Sequence, residues 1–480
     1  MHGNLSDDET PSFFHQSEIV TRQTSIATQL ERFRSGEATP SFCVNHHLTA
    51  IESSEIDVRA WATIDREGAL EAADEIARRQ DSSESASMLL GIPIGVKDLI
   101  DVKGMATQAG SRHFVGRVAG SDAPTVASLR RAGAIILGKT TTHEFAFGGT
   151  TPPTRNPRDL RTIPGGSSGG SAAALAAGHC LAALGTDTAG SVRIPSAYCG
   201  VVGLKPTAGV FSNEGVVPLA PTLDTVGIMV SFASDLPFVW AAMTGEIHTS
   251  RSREPEAPLT GIRVGVPRNF FFDHLQPGVA KVIEDALSTI VKLGATLVTV
   301  ELPLASLAAN AAMSIMLGEA GDFHRDRFRS APELFQPDVL RVLELAQTEP
   351  AIDYVRAQRL GFQIHREIEL VFSRVDVLCL PTLPCTAPSV EVANSGVIDI
   401  DGASVSLGEA QIRNNVPFNF AGVPALSQPC GVDERGLPVG LEWVAPRNHE
   451  SALIEIAIAF EEAVALTHWN CDTARKTGSI

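Results

Sequence analysis

Residues 165–195 read GGSSGGSAAALAAGHCLAALGTDTAGSVRIP, a run rich in glycine, serine, alanine and threonine. The run predicts a glycine-rich turn, an alanine-rich helix over 171–177 and a second small-residue turn that ends at Ser191. Glycine lets backbone segments approach closely and exposes N–H groups in turns, which suits a site better than a bulk core. We therefore expect this run to organise both the packing around it and the chemistry of the protein.

A lysine upstream of this run is the candidate base. Lys97 lies in the segment GIPIGVKDLI at residues 91–100, whose apolar residues predict a buried strand. Burial disfavours the charged form of a lysine and so makes it a general base. A serine hydroxyl is a weak nucleophile that needs such a base within reach, and Ser167 and Ser191 are the candidate hydroxyls. A surface lysine paired with Asp98 is the alternative interpretation.

The turn before Ser191 has the composition of an oxyanion hole. The small residues at 188–190 can point successive backbone N–H groups at one oxygen. Asp187 and Arg193 flank the turn and could brace it with an ion pair. These residues indicate a serine hydrolase, and a small-residue turn without chemistry is the alternative.

Two familiar motif patterns are better explained by structure than by chemistry. GAIILGKT at 133–140 matches the phosphate loop G-x-x-x-x-G-K-[ST], but its four middle residues favour a core strand over a flexible loop. GGSSGG at 165–170 satisfies the nucleophile elbow G-x-S-x-G, which needs a hydrophobic strand directly before the serine. Residues 155–164 are polar and contain two prolines. We therefore interpret 165–170 as a turn that caps the following helix.

Composition excludes several classes of function. The chain has 480 residues, 44% of them apolar and 19% charged, which is typical of a soluble globular enzyme with a sizeable core. A net charge of −17 argues against nucleic-acid binding. The seven cysteines are interpreted as reduced packing residues of a cytoplasmic protein. The sequence contains no metal-binding motif, signal peptide or membrane-spanning run, so we expect no metal and no membrane partner.

The chain is predicted to have three parts. They are a flexible polar tail at 1–20, a helical segment at 21–80 and a main domain at 81–470, with a core at 81–235, a mostly helical region at 305–370 and a C-terminal return at 371–470. Strands are predicted at 91–100, 133–138, 262–266, 297–302, 375–381 and 438–443, and helices at 26–33, 68–79, 279–290 and 451–464. Residues 251–258 are expected to form a surface connection. Because strands and helices alternate, we expect an α/β fold with a largely parallel sheet covered by helices.

The same segments closely resemble a known family. Residues 165–178, continuing to 185–196, look like the signature of the amidase signature family. The further segments that fit are GVKD at 95–98, GAIILGKT at 133–140, CGVVGLKP at 199–206, LDTVG at 223–227, PFNFAGVPA at 417–425 and GLPVGL at 436–441. The resemblance spans about residues 25–465. It implies a single large α/β/α domain with a mixed, largely parallel central sheet covered by helices.

The resemblance also implies a Ser–cis-Ser–Lys triad. By motif position, Ser191 resembles the nucleophile, Ser167 the cis-serine relay and Lys97 the base. The residues implied to form the oxyanion hole or to bind substrate are Thr188, Ala189, Gly190 and Ser191 through their N–H groups, together with Ala146 and Ser168. The residues implied to support them are Thr186, Asp187 and Arg193. Ala189 stands where many relatives carry glycine.

The implied function is hydrolysis of a carbon–nitrogen amide bond through an acyl-serine, with a small amide and water as substrates and no cofactor. The resemblance is compatible with a homodimer. Two related alternatives stay open: the glutaminase (A) subunit of a glutamyl-tRNA(Gln) or aspartyl-tRNA(Asn) amidotransferase, and a hydrolase of urea-like or carbamate substrates. A non-catalytic binding protein that keeps the fold is the alternative of a different class.

Overall fold

The computed structural model describes residues 24–79, 88–246 and 257–464. The tail predicted at 1–20 and most of the surface connection predicted at 251–258 lie outside the described residues. The part boundaries expected near residues 80 and 235 stay predictions. None of the helices in the described ranges is both long enough and apolar enough to cross a membrane.

The described strands form one eleven-stranded sheet and one separate two-stranded hairpin. The strands are β1 (Trp61–Ile64), β2 (Pro93–Lys97), β3 (Ile135–Thr140), β4 (Ala182–Asp187), β5 (Val202–Lys205), β6 (Thr225–Val230), β7 (Arg263–Pro267), β8 (Thr296–Val300), β9 (Val377–Pro381), β10 (Val397–Ile400), β11 (Ala403–Ser406), β12 (Ala425–Val432) and β13 (Pro438–Val444).

Helices separate most of these strands along the chain. They are α1 (Ile26–Arg34), α2 (Pro40–Val58), α3 (Arg66–Arg79), α4 (Pro124–Arg131), α5 (Gly169–Ala176), α6 (Arg193–Cys199), α7 (Leu236–Thr244), α8 (Pro277–Lys292), α9 (Ala308–Phe323), α10 (Arg325–Ser330), α11 (Pro337–Ala346), α12 (Ala351–Phe372), α13 (Val390–Ser395), α14 (Leu407–Ile412), α15 (Val416–Ala421) and α16 (Glu450–Val464). The region 305–370 is mainly helical, as predicted.

The large sheet has the order β1-β3-β2-β4-β6-β5-β12-β13-β9-β7-β8. β2 pairs in parallel with β3 and β4, and β7 pairs in parallel with β8 and β9. The middle of the sheet is antiparallel, since β12 returns directly to β13 through a short turn and β6 pairs antiparallel with both β4 and β5. The predicted α/β fold with a mixed sheet under helices is confirmed, and its parallel pairings occupy two separate parts of the sheet.

Both faces of the sheet are covered, as the unbroken apolar runs of its strands predict. Ile136 of β3 packs in a core that includes Val126 of α4, whereas its neighbours Ile135 and Leu137 pack on the other face with the alanines of α5. The segment 133–140 therefore contains a buried core strand, as interpreted from the sequence. Lys139 at its end is buried and donates hydrogen bonds to Asp98 and Thr107, so it is not a phosphate-loop lysine.

α5 follows the glycine-rich turn and lies unusually close to the sheet. A Cβ on Gly170 would come within 2.5 Å of the backbone N and O atoms of Thr141, a distance that real Cβ atoms do not adopt. The Gly170 N–H donates to the Thr141 carbonyl at 3.1 Å. Glycine at this position lets the first turn of α5 contact the backbone after β3. This contact presents Ser167 and Ser168, immediately before the helix, to the ends of the central strands.

Candidate active site

The site forms where two parallel strands end. Lys97 is the last residue of β2, and Asp187 is the last residue of β4. β2 and β4 are parallel neighbours, so their carboxyl ends meet at the same edge of the sheet, the usual ligand-binding edge in α/β folds. The order of the strands therefore places Lys97 next to the glycine- and serine-rich run at residues 165–195.

The Lys97 ammonium nitrogen is surrounded by hydroxyl groups. Its Nζ lies 2.7 Å from Ser167 Oγ, 2.9 Å from Ser168 Oγ and 2.8 Å from Thr186 Oγ1. The side chain is fully buried. Burial lowers the pKa of Lys97 from 10.5 to about 7, and the charges of Asp187 and Asp224 only partly oppose this. Near neutral pH this lysine can therefore hold or release a proton, which the surface-lysine alternative does not allow.

Ser167 and Ser168 occupy the turn before α5. The Gly166–Ser167 peptide bond is cis. Ser168 donates its hydroxyl proton to the Thr186 carbonyl at 3.1 Å and accepts the Thr186 N–H at 3.2 Å. Ser168 therefore ties the turn to β4, and its oxygen is left as an acceptor for Lys97.

Ser191 lies next to this turn, on the wall of a cavity. Its carbonyl accepts the Ser168 N–H at 3.2 Å, so the two turns are linked through the backbone. Ser191 is 8% exposed, whereas Ser167 is completely buried. Among the described residues, no hydrogen bond joins the hydroxyls of Ser167 and Ser191. The structure thus brings Lys97, Ser167 and Ser191 together, with the lysine in contact with Ser167.

Asp187 braces the turn that carries Ser191. Its carboxylate accepts the N–H of Gly190 at 2.8 Å and the N–H of Val192 at 3.1 Å. Burial opposes its ionisation, but Arg193, Asn419 and Lys205 together outweigh burial, and the pKa of Asp187 lies below its ordinary value. The carboxylate is therefore a fixed charge that holds the turn.

This bracing corrects one expectation about the oxyanion hole. The Gly190 N–H already donates to Asp187, so it is not available to a developing oxyanion. The N–H groups of Thr188, Ala189 and Ser191 remain as candidate donors. The left-handed backbone of the turn falls on Gly190, at φ 114°, and not on Ala189. Alanine at position 189 is therefore compatible with the turn.

Arg193 extends the bracing into the C-terminal part of the chain. Its fully buried guanidinium binds Asp187 at 2.9 Å, Glu442 at 2.6 Å and the Asn419 side-chain oxygen at 2.7 Å. Burial raises the pKa of Glu442 to about 7, although Arg193 opposes the shift. Sequence reasoning missed Asn419 and Glu442. The available signal for Glu442 was a single acidic residue within the apolar strand β13.

The cavity beside Ser191 has a volume of about 370 Å³, within the usual range for small-molecule sites. Ala146, predicted to line the substrate site, lies in its wall, and both Ala146 and Phe145 have left-handed backbone. The other lining residues are Phe147, Gly148, Gly149, Gly166, Thr188, Ala189, Ile194, Leu219, Ala309, Asn310, Met313, Met316, Val342, Ser406, Gly408, Glu409, Gln411 and Ile412. Among these described residues, Glu409 is the one with an ionisable side chain.

A separate group of a serine, a histidine and a glutamate outside this site has a structural role. Ser54 Oγ lies 2.7 Å from His179 Nε2, and Glu55 lies 3.9 Å from His179 Nδ1. Trp61 Nε1 donates to His179 Nδ1, so the proton of the neutral ring is on Nε2 and is donated to Ser54. Ser54 in turn donates to the Ala50 carbonyl. The histidine therefore has no free lone pair with which to activate the serine.

Comparison with known proteins identifies the family of this chain. The chain belongs to the amidase family, whose family model matches residues 43–454. It is 37% identical to an amidase of Pseudomonas putida over 94% of this chain and 97% of that protein. It is 35% identical to the A subunit of the glutamyl-tRNA(Gln) amidotransferase of Symbiobacterium thermophilum, over 91% of this chain and 96% of that one. A crystal structure of an amidase superposes with a TM-score of 0.85 at 31% identity, covering 92% of this chain and 99% of that chain. The family resemblance inferred from the sequence is confirmed.

We expect Asp187→Asn to destabilise the fold by about 3 kcal/mol, because it removes a buried charge partner of Arg193. The matched control is Asp159→Asn, whose partner Arg161 is largely exposed and whose loss should cost less than about 1 kcal/mol. Urea unfolding followed by circular dichroism measures both changes. Equal, small effects in the two variants would show that the buried pair does not brace the turn.

Proposed function

We propose that this protein hydrolyses an amide bond through an acyl enzyme on Ser191, with Ser167 as the proton relay and Lys97 as the base. The observation that carries the proposal is the 2.7 Å contact between Lys97 Nζ and Ser167 Oγ, at a lysine whose pKa is lowered to about 7. A buried amine that is neutral near pH 7 can take a proton from a serine, and an ordinary surface lysine cannot.

The hydroxyls around Lys97 orient its lone pair. Ser168 gives its own proton to the Thr186 carbonyl, so its oxygen accepts from Lys97. The neutral amine then uses its two N–H groups on Ser168 and Thr186. The remaining lone pair faces Ser167, whose hydroxyl can donate to it. Ser168 and Thr186 therefore support the base without taking part in bond formation.

Acylation moves one proton along this line of groups. Ser191 Oγ attacks the amide carbonyl carbon and gives its proton to Ser167, as Ser167 gives its own proton to Lys97. The contact between the two serine hydroxyls must therefore form in the substrate complex, since catalytic hydrogen bonds often tighten only there. N–H groups of Thr188 and Ala189, with that of Ser191, stabilise the tetrahedral oxyanion, and each such donor can contribute about 100-fold in rate.

Collapse of the tetrahedral intermediate breaks the carbon–nitrogen bond. The proton held on Lys97 returns through Ser167 to the leaving nitrogen, and the amine departs. Water then attacks the acyl-serine and passes its proton along the same route, which releases the carboxylic acid and restores Ser191. The residues thus act first as base and then as acid in each half of the reaction.

The cavity favours an uncharged substrate. A buried carboxylate on the substrate would need a cationic partner, and the described lining residues contain no lysine, arginine or histidine. Leu219, Met313, Met316 and Val342 instead present apolar surface. Neutral amides, including urea-like and carbamate substrates, satisfy this constraint. Glutamine carries an α-carboxylate, so the cavity favours the amidase over the amidotransferase subunit that several relatives are named for.

Two further properties stay proposals. We place the protein in the cytoplasm, since the cysteines of the described residues are free and buried, as expected of a reducing compartment. A homodimer remains a prediction from the family resemblance. Neither property enters the mechanism.

Replacing the nucleophile tests the proposed function most directly. Ser191→Ala should lower kcat by at least about 1,000-fold, because it removes the hydroxyl that attacks the carbonyl carbon. The fold should persist, with a melting temperature close to that of the parent, since one small hydroxyl is removed. Ser330→Ala, at an exposed serine, is the matched control and should leave kcat unchanged. Hydrolysis at the parental rate by Ser191→Ala would refute the acyl-serine.

The pH dependence should follow the titration of Lys97. The active form is the neutral amine, and its folded-state pKa is about 7, so kcat/KM should rise with pH below 7 and level off above about pH 8. Initial rates measured from about pH 6 to about pH 9 check this. A flat profile with the chemical step rate-limiting would contradict the assignment of Lys97 as the base.

Substrate charge separates the two amide-hydrolysing functions. Hexanamide should be hydrolysed with a kcat/KM at least about tenfold higher than that of adipic acid monoamide, which has a similar length but ends in a carboxylate. Ammonia release measures both reactions, with glutamine as a third substrate. Glutamine hydrolysis that matches or exceeds hexanamide hydrolysis would favour the amidotransferase subunit.

A further inference from the structure

The carbonyl of Ser167 is held by two donors from the loop after β3. It accepts the backbone N–H of His143 at 3.2 Å and the hydroxyl of Thr151 at 3.2 Å. The same Thr151 hydroxyl accepts the N–H of Gly169 at 3.3 Å, at the start of α5. The position of Ser167 therefore depends on the relative placement of residues 143 and 151, which lie at the two ends of one loop.

The imidazole of His143 joins these two ends. Its Nδ1 faces the N–H of Thr151 at 3.4 Å and the hydroxyl of Thr150 at 3.3 Å. Because Nδ1 accepts, the proton of the neutral ring lies on Nε2, where it is donated to Asp338 Oδ2 at 2.8 Å. His143 is 4% exposed, and its ring is fixed from both sides.

Asp338 belongs to the helical region that walls the cavity. It lies in the first turn of α11, whose residue Val342 lines the cavity beside Ser191. A carboxylate is stabilised at this end of a helix, and the hydrogen bond from His143 also lowers the pKa of Asp338. Asp338 is therefore a negatively charged hydrogen-bond acceptor in the first turn of α11, the end of the helix that contacts His143 of the loop.

The two residues that follow His143 dock on the same region. Glu144 accepts the backbone N–H of Gln336 at 2.6 Å. The Phe145 ring packs on the ring of His324, with 4.2 Å between the two ring centroids. A Cβ on Gly148 would lie 2.3 Å from the His143 ring, so glycine is required there for the imidazole to sit as it does. The loop thus contacts the helical region with its side chains, and it contacts Ser167 through the His143 N–H and the Thr151 hydroxyl.

We propose that His143 and Asp338 are a positioning pair, which holds Ser167 at hydrogen-bonding distance from Lys97 by fixing both donors to the Ser167 carbonyl. The pair also fixes the position of α11, which lines the cavity, relative to the turn that carries Ser167. This inference rests on the proposed function, because it assigns the pair a role in proton relay. Neither side chain touches the reacting atoms, so both act through Ser167.

Asp338→Ala and Asp338→Asn, compared in the full-length enzyme, test this role. Asp338→Ala should lower kcat about tenfold and change KM less than about threefold, since small displacements of relay groups reduce rate more than binding. Asp338→Asn should recover most of kcat, because its amide oxygen accepts the same hydrogen bond from His143. Glu344→Ala, which removes an exposed carboxylate from the same helix, is the matched control and should leave kcat unchanged. The Asp338 side chain is 49% exposed, so its loss leaves no buried cavity.

Hydrogen exchange supplies a measurement that does not depend on activity. Amides of residues 141–151 should exchange faster in Asp338→Ala and at the parental rate in Asp338→Asn. Unchanged kcat in Asp338→Ala overturns the positioning role whatever the exchange shows, and so does equal loss of kcat in the alanine and asparagine variants. Failure of the proposed function is a separate result, namely persistent hydrolysis by Ser191→Ala.

Discussion

The buried ion pair between Asp187 and Arg193 is the interaction on which the rest of the site depends. Asp187 ends β4 and binds the N–H groups of the following turn, while Arg193 opens α6 and reaches Asn419 and Glu442. Two buried charges need several polar partners to be tolerated, and here the turn, α15 and β13 each supply at least one. The pair therefore connects the turn that carries Ser191 with α15 and β13, and it sets the shape of that turn.

The same pair influences the electrostatics of Lys97. Asp187 attracts a proton to Lys97, but its charge is already neutralised by Arg193 at 2.9 Å. Desolvation consequently dominates, and the pKa of the lysine falls to about 7. The loop at 143–151 adds a second constraint, because it holds the backbone of Ser167 while Lys97 contacts its hydroxyl. Base and relay are thus positioned by separate parts of the fold.

Much of the architecture was predictable because its signals are local. Continuous apolar runs predicted β2 and β3, and periodic apolar residues predicted α8 and α16. The prediction did not reach α2, whose buried face includes His47 and Ser54 and so lacks a clean apolar stripe. The small residues of β4 likewise carry little strand preference. Ala183 packs with the alanines of α5, whereas Ala182 and Leu184 belong to the core on the other face of the sheet.

The sequence by itself determined the residue types of the candidate site and the turns that carry them, since the spacing of Ser167 and Ser191 within one run is a local property. Only the tertiary structure decided that Lys97, 70 residues before Ser167, contacts its hydroxyl, and that Glu442, 249 residues after Arg193, binds its guanidinium. It also decided that the Gly190 N–H belongs to Asp187 and not to an oxyanion. Hydrogen bonds and desolvation depend on distance in space, and residue periodicity along the chain reports only which face of an element is buried.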